Sequence, residues 1–201
     1  MRCIDTTLAT TAVYSDKGDR RYLLRKVWDA NKPRLAIIMF APSEASGIEL
    51  DNTTMLVLNN ASRLGYGSVS IVNLFSKLGD FKLKYADESD EENLITIQNE
   101  VKNADLAIYA AGVGKATNKD FIMRQAQVLN ALHPYEKKLH CLTNKAQSVK
   151  YQHPLAPAVR TWYLLPIKIS DIVSTQQENA NVPVTNKKKK IDSKDRTPSP
   201  S

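Results

Sequence analysis

Polar residues that directly follow apolar runs are the first candidates for chemistry in this chain. The run Leu35-Ala36-Ile37-Ile38-Met39-Phe40 gives way to Pro42, Ser43 and Glu44, and then to Asp51, Thr53 and Thr54. A second run, Ser68 to Asn73, ends in an amide. A third, Ala104 to Ala110, opens on Gly112, Gly114 and Lys115. A fourth, Lys138 to Leu142, leads to Thr143, Asn144 and Lys145, and then to Tyr151-Gln152-His153-Pro154-Leu155. An asparagine amide offers both a donor and an acceptor to the edge of a heterocycle. A histidine changes charge near neutrality and can hydrogen-bond a developing negative charge.

Each of these residues also has a plain structural use. Ser43 and Asp51 suit the ordering or capping of a helix that begins near Thr53. Asn73 suits a hydrogen bond to the long loop behind it. Gly112 and Gly114 suit a tight turn as well as a phosphate cradle. His153, before a proline and outside any periodic segment, suits a site or a solvated loop. His140 falls within a strand pattern and reads as structural, and His133 lies near a helix C-terminus.

The elements that must position these residues follow from periodicity. Thr10 to Tyr14 and Tyr22 to Val27 flank Asp16-Lys17-Gly18-Asp19 and predict a hairpin. The run to Phe40 lacks alternation, as expected of a strand covered on both faces. Thr53 to Leu64 predicts a helix closed by Gly65. Ser68 to Asn73 is the next strand, and Leu74 to Ser89 a long connection. Ser89 and Glu92 match a capping box for a helix to about Asn103, with Leu94, Ile97 and Val101 on one face. Ala104 to Ala110 and Lys138 to Leu142 are further strands, with a helix between them from Thr117 to Leu132. Strand and helix alternating in this way argue for a three-layer α/β sandwich. The expected core is a mostly parallel four-stranded sheet, with the N-terminal hairpin beside it. In such sheets ligands bind beyond the carboxyl ends of the strands, which would place the polar residues above on one rim.

Composition bounds the rest. The chain has 201 residues, 42% of them hydrophobic, and fits one domain over residues 1–173. Gln, Asn, Pro, Lys and Ser dominate residues 174–201, which predict a disordered basic tail. From Ala180 on lie six of the 28 basic and two of the 21 acidic residues, leaving 22 against 19 elsewhere. The formal charge of +7 therefore owes more to the tail than to the folded part. Cys3 and Cys141 match no disulfide framework or zinc spacing, and a reducing, cytoplasmic setting is expected. No apolar run follows Met1-Arg2-Cys3-Ile4-Asp5, and none approaches the length of a membrane span, so neither a signal peptide nor a membrane partner is expected. No metal or cofactor is called for. Gly114-Lys115 resembles the end of a P-loop, but Tyr109 and Ala116 stand where that motif needs Gly and Ser or Thr. No G-x-S-x-G surrounds Ser43.

Several segments together resemble the family called "domain of unknown function 1643". They are Arg21-Tyr22-Leu23-Leu24-Arg25, Trp28-Asp29, Ile38-Met39-Phe40-Ala41-Pro42-Ser43-Glu44-Ala45, Asp51-Asn52-Thr53, Gly65-Tyr66-Gly67, Val72-Asn73-Leu74-Phe75, Leu139-His140-Cys141-Leu142 and His153-Pro154-Leu155. The likeness runs from about Val13 to Leu155 and implies a bacterial or phage setting, with no established activity. The family usually has Asn before Pro-Ser and Trp before Gly, where this chain has Ala41 and Ala111.

A more distant likeness is to the uracil-DNA glycosylase superfamily. That fold also places a proline-containing loop, a strand-ending Asn and a His-Pro loop at strand carboxyl ends, in the order of Pro42, Asn73 and His153-Pro154. The likeness implies a pocket that binds or processes a nucleobase, nucleotide or nucleic acid. Asp51 and His153 would be the catalytic candidates, and Pro42, Ser43, Glu44, Thr53, Asn73, Gly112 and Asn144 would contact substrate. It also implies a water-positioning residue at position 41, where Ala41 has no suitable group. Either Glu44 or Asp51 takes that role, or the chain binds without cleaving. The alternative is a non-catalytic binding module that engages nucleic acid or a host factor, with Lys187–Lys190 supplying salt-sensitive phosphate attraction.

Overall fold

The computed structural model describes residues 3, 5–43, 47–79, 90–112 and 118–180. Seven strands make one sheet: β1 (Ala9–Tyr14), β2 (Arg21–Val27), β3 (Arg34–Met39), β4 (Ser68–Asn73), β5 (Leu106–Tyr109), β6 (Leu139–Thr143) and β7 (Tyr163–Pro166). Four helices accompany them: α1 (Asn52–Arg63), α2 (Glu91–Asn103), α3 (Lys119–Leu132) and α4 (Ile169–Ala180).

The strand order is β1-β2-β4-β3-β5-β6-β7. The expected sheet of four mostly parallel strands is therefore corrected to a mixed sheet of seven. β4, β3, β5 and β6 pair in parallel at its centre, and antiparallel strands flank them on both sides. The reason is backbone satisfaction. β4 is buried along its whole length, so its outer N–H and C=O groups need a partner. The hairpin strand β2 supplies it, with Leu24 opposite Ile71 and Val27 opposite Ser68. On the far side Tyr163–Pro166, a segment without a strong strand pattern, does the same for β6.

Side chains alternate between the two faces. Leu35, Ile37, Met39, Val69 and Ile71 pack with Val57 and Ala61 of α1 and with Val159 and Trp162. Ala36, Ile38, Val72 and Tyr109 pack with Ile97 and Val101 of α2, Phe121 and Val128 of α3, and Ile172 of α4. These are the three expected layers, unequally populated. α4 spans Ile169–Ala180, and residues 181–201 lie outside the described residues.

Local chemistry explains the helix ends. α1 closes in a Schellman turn: Gly65 N–H donates to Ser62 O and Tyr66 N–H to Ala61 O, with Gly65 at φ 87°. α2 is capped by Asp90, which accepts from the backbone N–H of Glu92 and Asn93. Ser89, the expected cap, lies outside the described residues. α3 is capped by Asn118, which accepts from Phe121 N–H, and Thr117 is likewise not described. Gly67 is required for space. A Cβ there would lie 1.9 Å from Asp29 O, because the Gly67 carbonyl accepts from both Trp28 and Asp29 N–H.

One irregularity bears on the site. β1 and β2 pair Val13 with Leu23 but Tyr14 with Arg21, so Tyr22 is an extra residue. Such a bulge re-aims the side chains on one side of it. It turns Arg21 toward Tyr14 and Asp51, whereas Tyr22 lies with Asp90 and Glu92. Among the described residues no helix is long and apolar enough to cross a membrane, and no group of three or more His, Cys, Asp or Glu is placed to hold a metal ion.

Candidate functional site

β3 and β5 are neighbours, but their outgoing connections part: β3 leads to α1 on one face and β5 to α3 on the other. In parallel sheets ligands bind beyond the strand ends where connections divide in this way. Asp51, on the connection after β3, is the N-cap of α1. Its Oδ1 accepts from the Thr54 backbone N–H at 2.6 Å. Burial pushes the Asp51 carboxyl up. Hydrogen bonds from the Ser43 hydroxyl and from both the backbone and hydroxyl of Thr54 oppose this, and so does the charge of Arg21. The balance holds the carboxyl below its ordinary value.

Arg21 is 2% exposed. Burial lowers its proton affinity, and Tyr14 and Asp51 offset part of that effect. An arginine remains charged across the physiological range all the same. No sequence motif marked Arg21 as a site residue, because its direction is set by the bulge.

His153 is half-buried, on the loop after β6. Its Nδ1 accepts from the Leu155 N–H at 3.2 Å, and its carbonyl accepts from Ala156 N–H. A backbone N–H can only donate, so the neutral ring carries its proton on Nε2. Burial lowers the His153 pKa, while the negative charge of Asp51 acts in the opposite direction. The charge of Asp51 reaches His153 on the loop after β6, and Ser43, Thr54 and Arg21 act on Asp51 in turn.

Asn73 ends β4 in register with Met39 and is 1% exposed. Alternation from Ile71 puts its side chain on the α1 face. Its Nδ2 has no hydrogen-bond partner among the described residues. Its backbone is held from the opposite face. Asn93 Nδ2 donates to the carbonyls of Asn73 (3.1 Å) and Leu74 (3.2 Å), and Arg124 Nε donates to Leu74 O at 2.7 Å. Asn93 and Arg124 were missed from sequence. The available signal was polarity at positions that helical periodicity assigns to the buried stripes of α2 and α3.

The other expected contacts divide. Asn144 uses its amide on Ser148, donating from Nδ2 to Oγ at 2.8 Å and accepting from N–H at 2.9 Å, which orders its own loop. Thr54 rather than Thr53 meets Asp51. Pro42 is buried beside the half-buried Ser43. Gly112 has φ 77° and no heavy atom within 4 Å of a built Cβ, as a turn residue would. Glu44, Gly114 and Lys115 lie outside the described residues.

The arrangement favours hydrogen bonding over proton abstraction. A carboxylate has about four acceptor positions. Three hydrogen bonds engage those of Asp51, and their combined effect makes it a weak base. His153 Nε2–H and Asn73 Nδ2 are both donors.

Residues 21–155 match the model of the family described as "Protein of unknown function (DUF1643)". Comparison with curated proteins finds no match.

Proposed function

Because the chain belongs to the DUF1643 family, whose description carries no activity, we propose a function from the site itself: binding of an oxo nucleobase, free or in a nucleotide or nucleic acid, without cleavage. The observation that carries this reading is the Asn73 amide, a buried donor without a partner among the described residues. Leaving such a donor unsatisfied costs about 1–3 kcal/mol, which an acceptor on a ligand would recover. His153 Nε2–H is the second donor, and the carbonyl oxygens of an oxo base are the matching acceptors. The distant likeness to uracil-DNA glycosylases points to the same class of ligand.

Binding is favoured over catalysis by two features. Ala41 has no group to position water, and Asp51 is held by Ser43 and Thr54 with its basicity reduced. Asp51 is then a positioning residue that orders the loop and sets the electrostatics of His153.

Thermal unfolding in the presence of nucleobases, nucleosides, nucleotides and short single-stranded DNA tests the proposal. A ligand at 100 times its Kd stabilises the native state by about 2.7 kcal/mol. At least one class is expected to raise Tm, and the rise should vanish in both Asn73→Ala and His153→Ala. Without ligand, Asn73→Ala is expected to change stability by less than about 1 kcal/mol, because a lost packing contribution is offset by removal of an unsatisfied donor. A complete panel with no shift would end this reading.

A further inference from the structure

The two edges of the sheet are built differently. β7 has four residues and ends in Pro166, which has no N–H to offer a neighbouring strand. β1 has few of the usual protections. Leu8-Ala9-Thr10-Thr11-Ala12-Val13-Tyr14 contains no charge and no proline, and the bulge in the strand it pairs with lies at one end only, opposite Val13 and Tyr14. Its inner side pairs with β2. Its outer backbone groups meet no hydrogen-bond partner among the described residues. Apolar side chains border this edge on both faces. On one face Val13 and the 48% exposed Ile95 of α2 border a hollow whose remaining lining is mainly charged, including Lys17, Arg20 and Glu92, and on the other Leu8 and Leu50, each close to half exposed, line a more apolar one.

We propose that β1 is a self-association edge, where two copies of this chain pair antiparallel about Thr11 and join their sheets. The strand favours a second copy over a foreign segment because it suits itself. Pairing about Thr11 sets Thr11 against Thr11, Thr10 against Ala12, Ala9 against Val13 and Leu8 against Tyr14. These are β-branched, small and aromatic pairs with no like charges opposed. The added strand would also cover Leu8 and Val13 and extend the apolar contacts toward Leu50 and Ile95. One strand pair with these flanks falls near the lower limit of specific interfaces, about 1,200 Å². The dimer is therefore expected in the micromolar range. The chains carry +7 each, so screening by salt should tighten association, opposite to what an ion-paired contact would show.

Analytical ultracentrifugation of the full chain from about 5 to 500 µM tests this, a range that brackets a micromolar Kd. The expected result is a reversible monomer–dimer equilibrium that strengthens with salt. Thr11→Lys sets two ammonium groups opposite each other and should weaken dimerisation at least about tenfold with Tm unchanged. A second measurement does not depend on a destabilised strand. In a Cys3→Ser background, Thr11→Cys should form an intermolecular disulfide on mild oxidation, and Ala9→Cys, which faces Val13 of the second copy, should not. A chain that stays monomeric throughout overturns the proposal. So does a dimer indifferent to Thr11→Lys, or one that cross-links at Ala9→Cys and not at Thr11→Cys.

Discussion

Replacing Arg124 by alanine is expected to lower the free energy of unfolding by about 3 kcal/mol, within the range for emptying a large buried site. Arg124 is fully buried within the α3 layer. Its Nε donates to Leu74 O at 2.7 Å and its Nη1 to Gln127 Oε1 at 2.6 Å. Alanine removes both bonds and most of the volume. Methionine restores volume without the donors, and Arg124→Met should recover about half of the loss, since hydrogen bonds to charged groups contribute about 1.5–3 kcal/mol each and removing a buried charge offsets part of that. Urea unfolding with an unchanged slope would measure both. The functional consequence separates this arginine from an ordinary core residue. Leu74 directly follows Asn73, so Arg124→Met should bind ligand less tightly than wild type even where it is fully folded. A methionine variant equal to wild type in both stability and binding would remove Arg124 from the account of the site.

Asp51→Ala is expected to cost about 1 kcal/mol near neutral pH through loss of the N-cap, with a smaller addition from the Arg21 charge because solvent screens a partly exposed carboxylate. Asp51→Asn keeps an acceptor for Thr54 and should cost less. The effect has a defined pH dependence. The folded Asp51 carboxyl lies below its ordinary value, so at low pH the unfolded chain binds the proton more readily. The stabilisation is complete above about pH 4 and is lost as pH falls through the folded pKa, so wild type and Asp51→Ala should converge in acid.

His153 acts in a higher window with the same sign. Burial holds its folded pKa below the ordinary value. As pH falls below about 6.5 the unfolded chain takes up the proton first, and stability declines. His153→Gln should flatten that part of the profile in thermal unfolding. The two groups can also be read against each other. Asp51 raises the His153 pKa, so an NMR titration of His153 should shift further down in Asp51→Asn. An unmoved titration would mean that the two side chains are not electrostatic neighbours, and the loops after β3 and β6 would then not share a site.

Much of the local structure was legible from residue order. The strand expected over Leu35–Phe40 is Arg34–Met39, that over Ser68–Asn73 is found at those bounds, and the helix expected over Thr53–Leu64 is Asn52–Arg63. Apolar runs, cap chemistry and a closing glycine act over a few residues, so they can be read from neighbours in sequence. Ser43, Asp51 and His153 were chosen as candidates on the same local ground: each follows the end of a strand. The residues that contact them or hold the strand ends were not readable in this way. Arg21 sits in an ordinary strand, and Asn93 and Arg124 in ordinary amphipathic helices, where nothing local shows which carbonyl a buried polar group will meet.

Residue order by itself therefore determined the alternation of strands and helices, most of their limits and the strand ends at which polar side chains gather. Tertiary structure decided the seven-strand order, the turning of Arg21 toward Asp51, the neutral tautomer of His153 and the unpartnered amide of Asn73. The physical reason is range. Periodicity and capping depend on residues a few positions apart. Strand partnership, by contrast, is settled by the need to satisfy a buried backbone such as that of β4, and it depends on segments dozens of positions away.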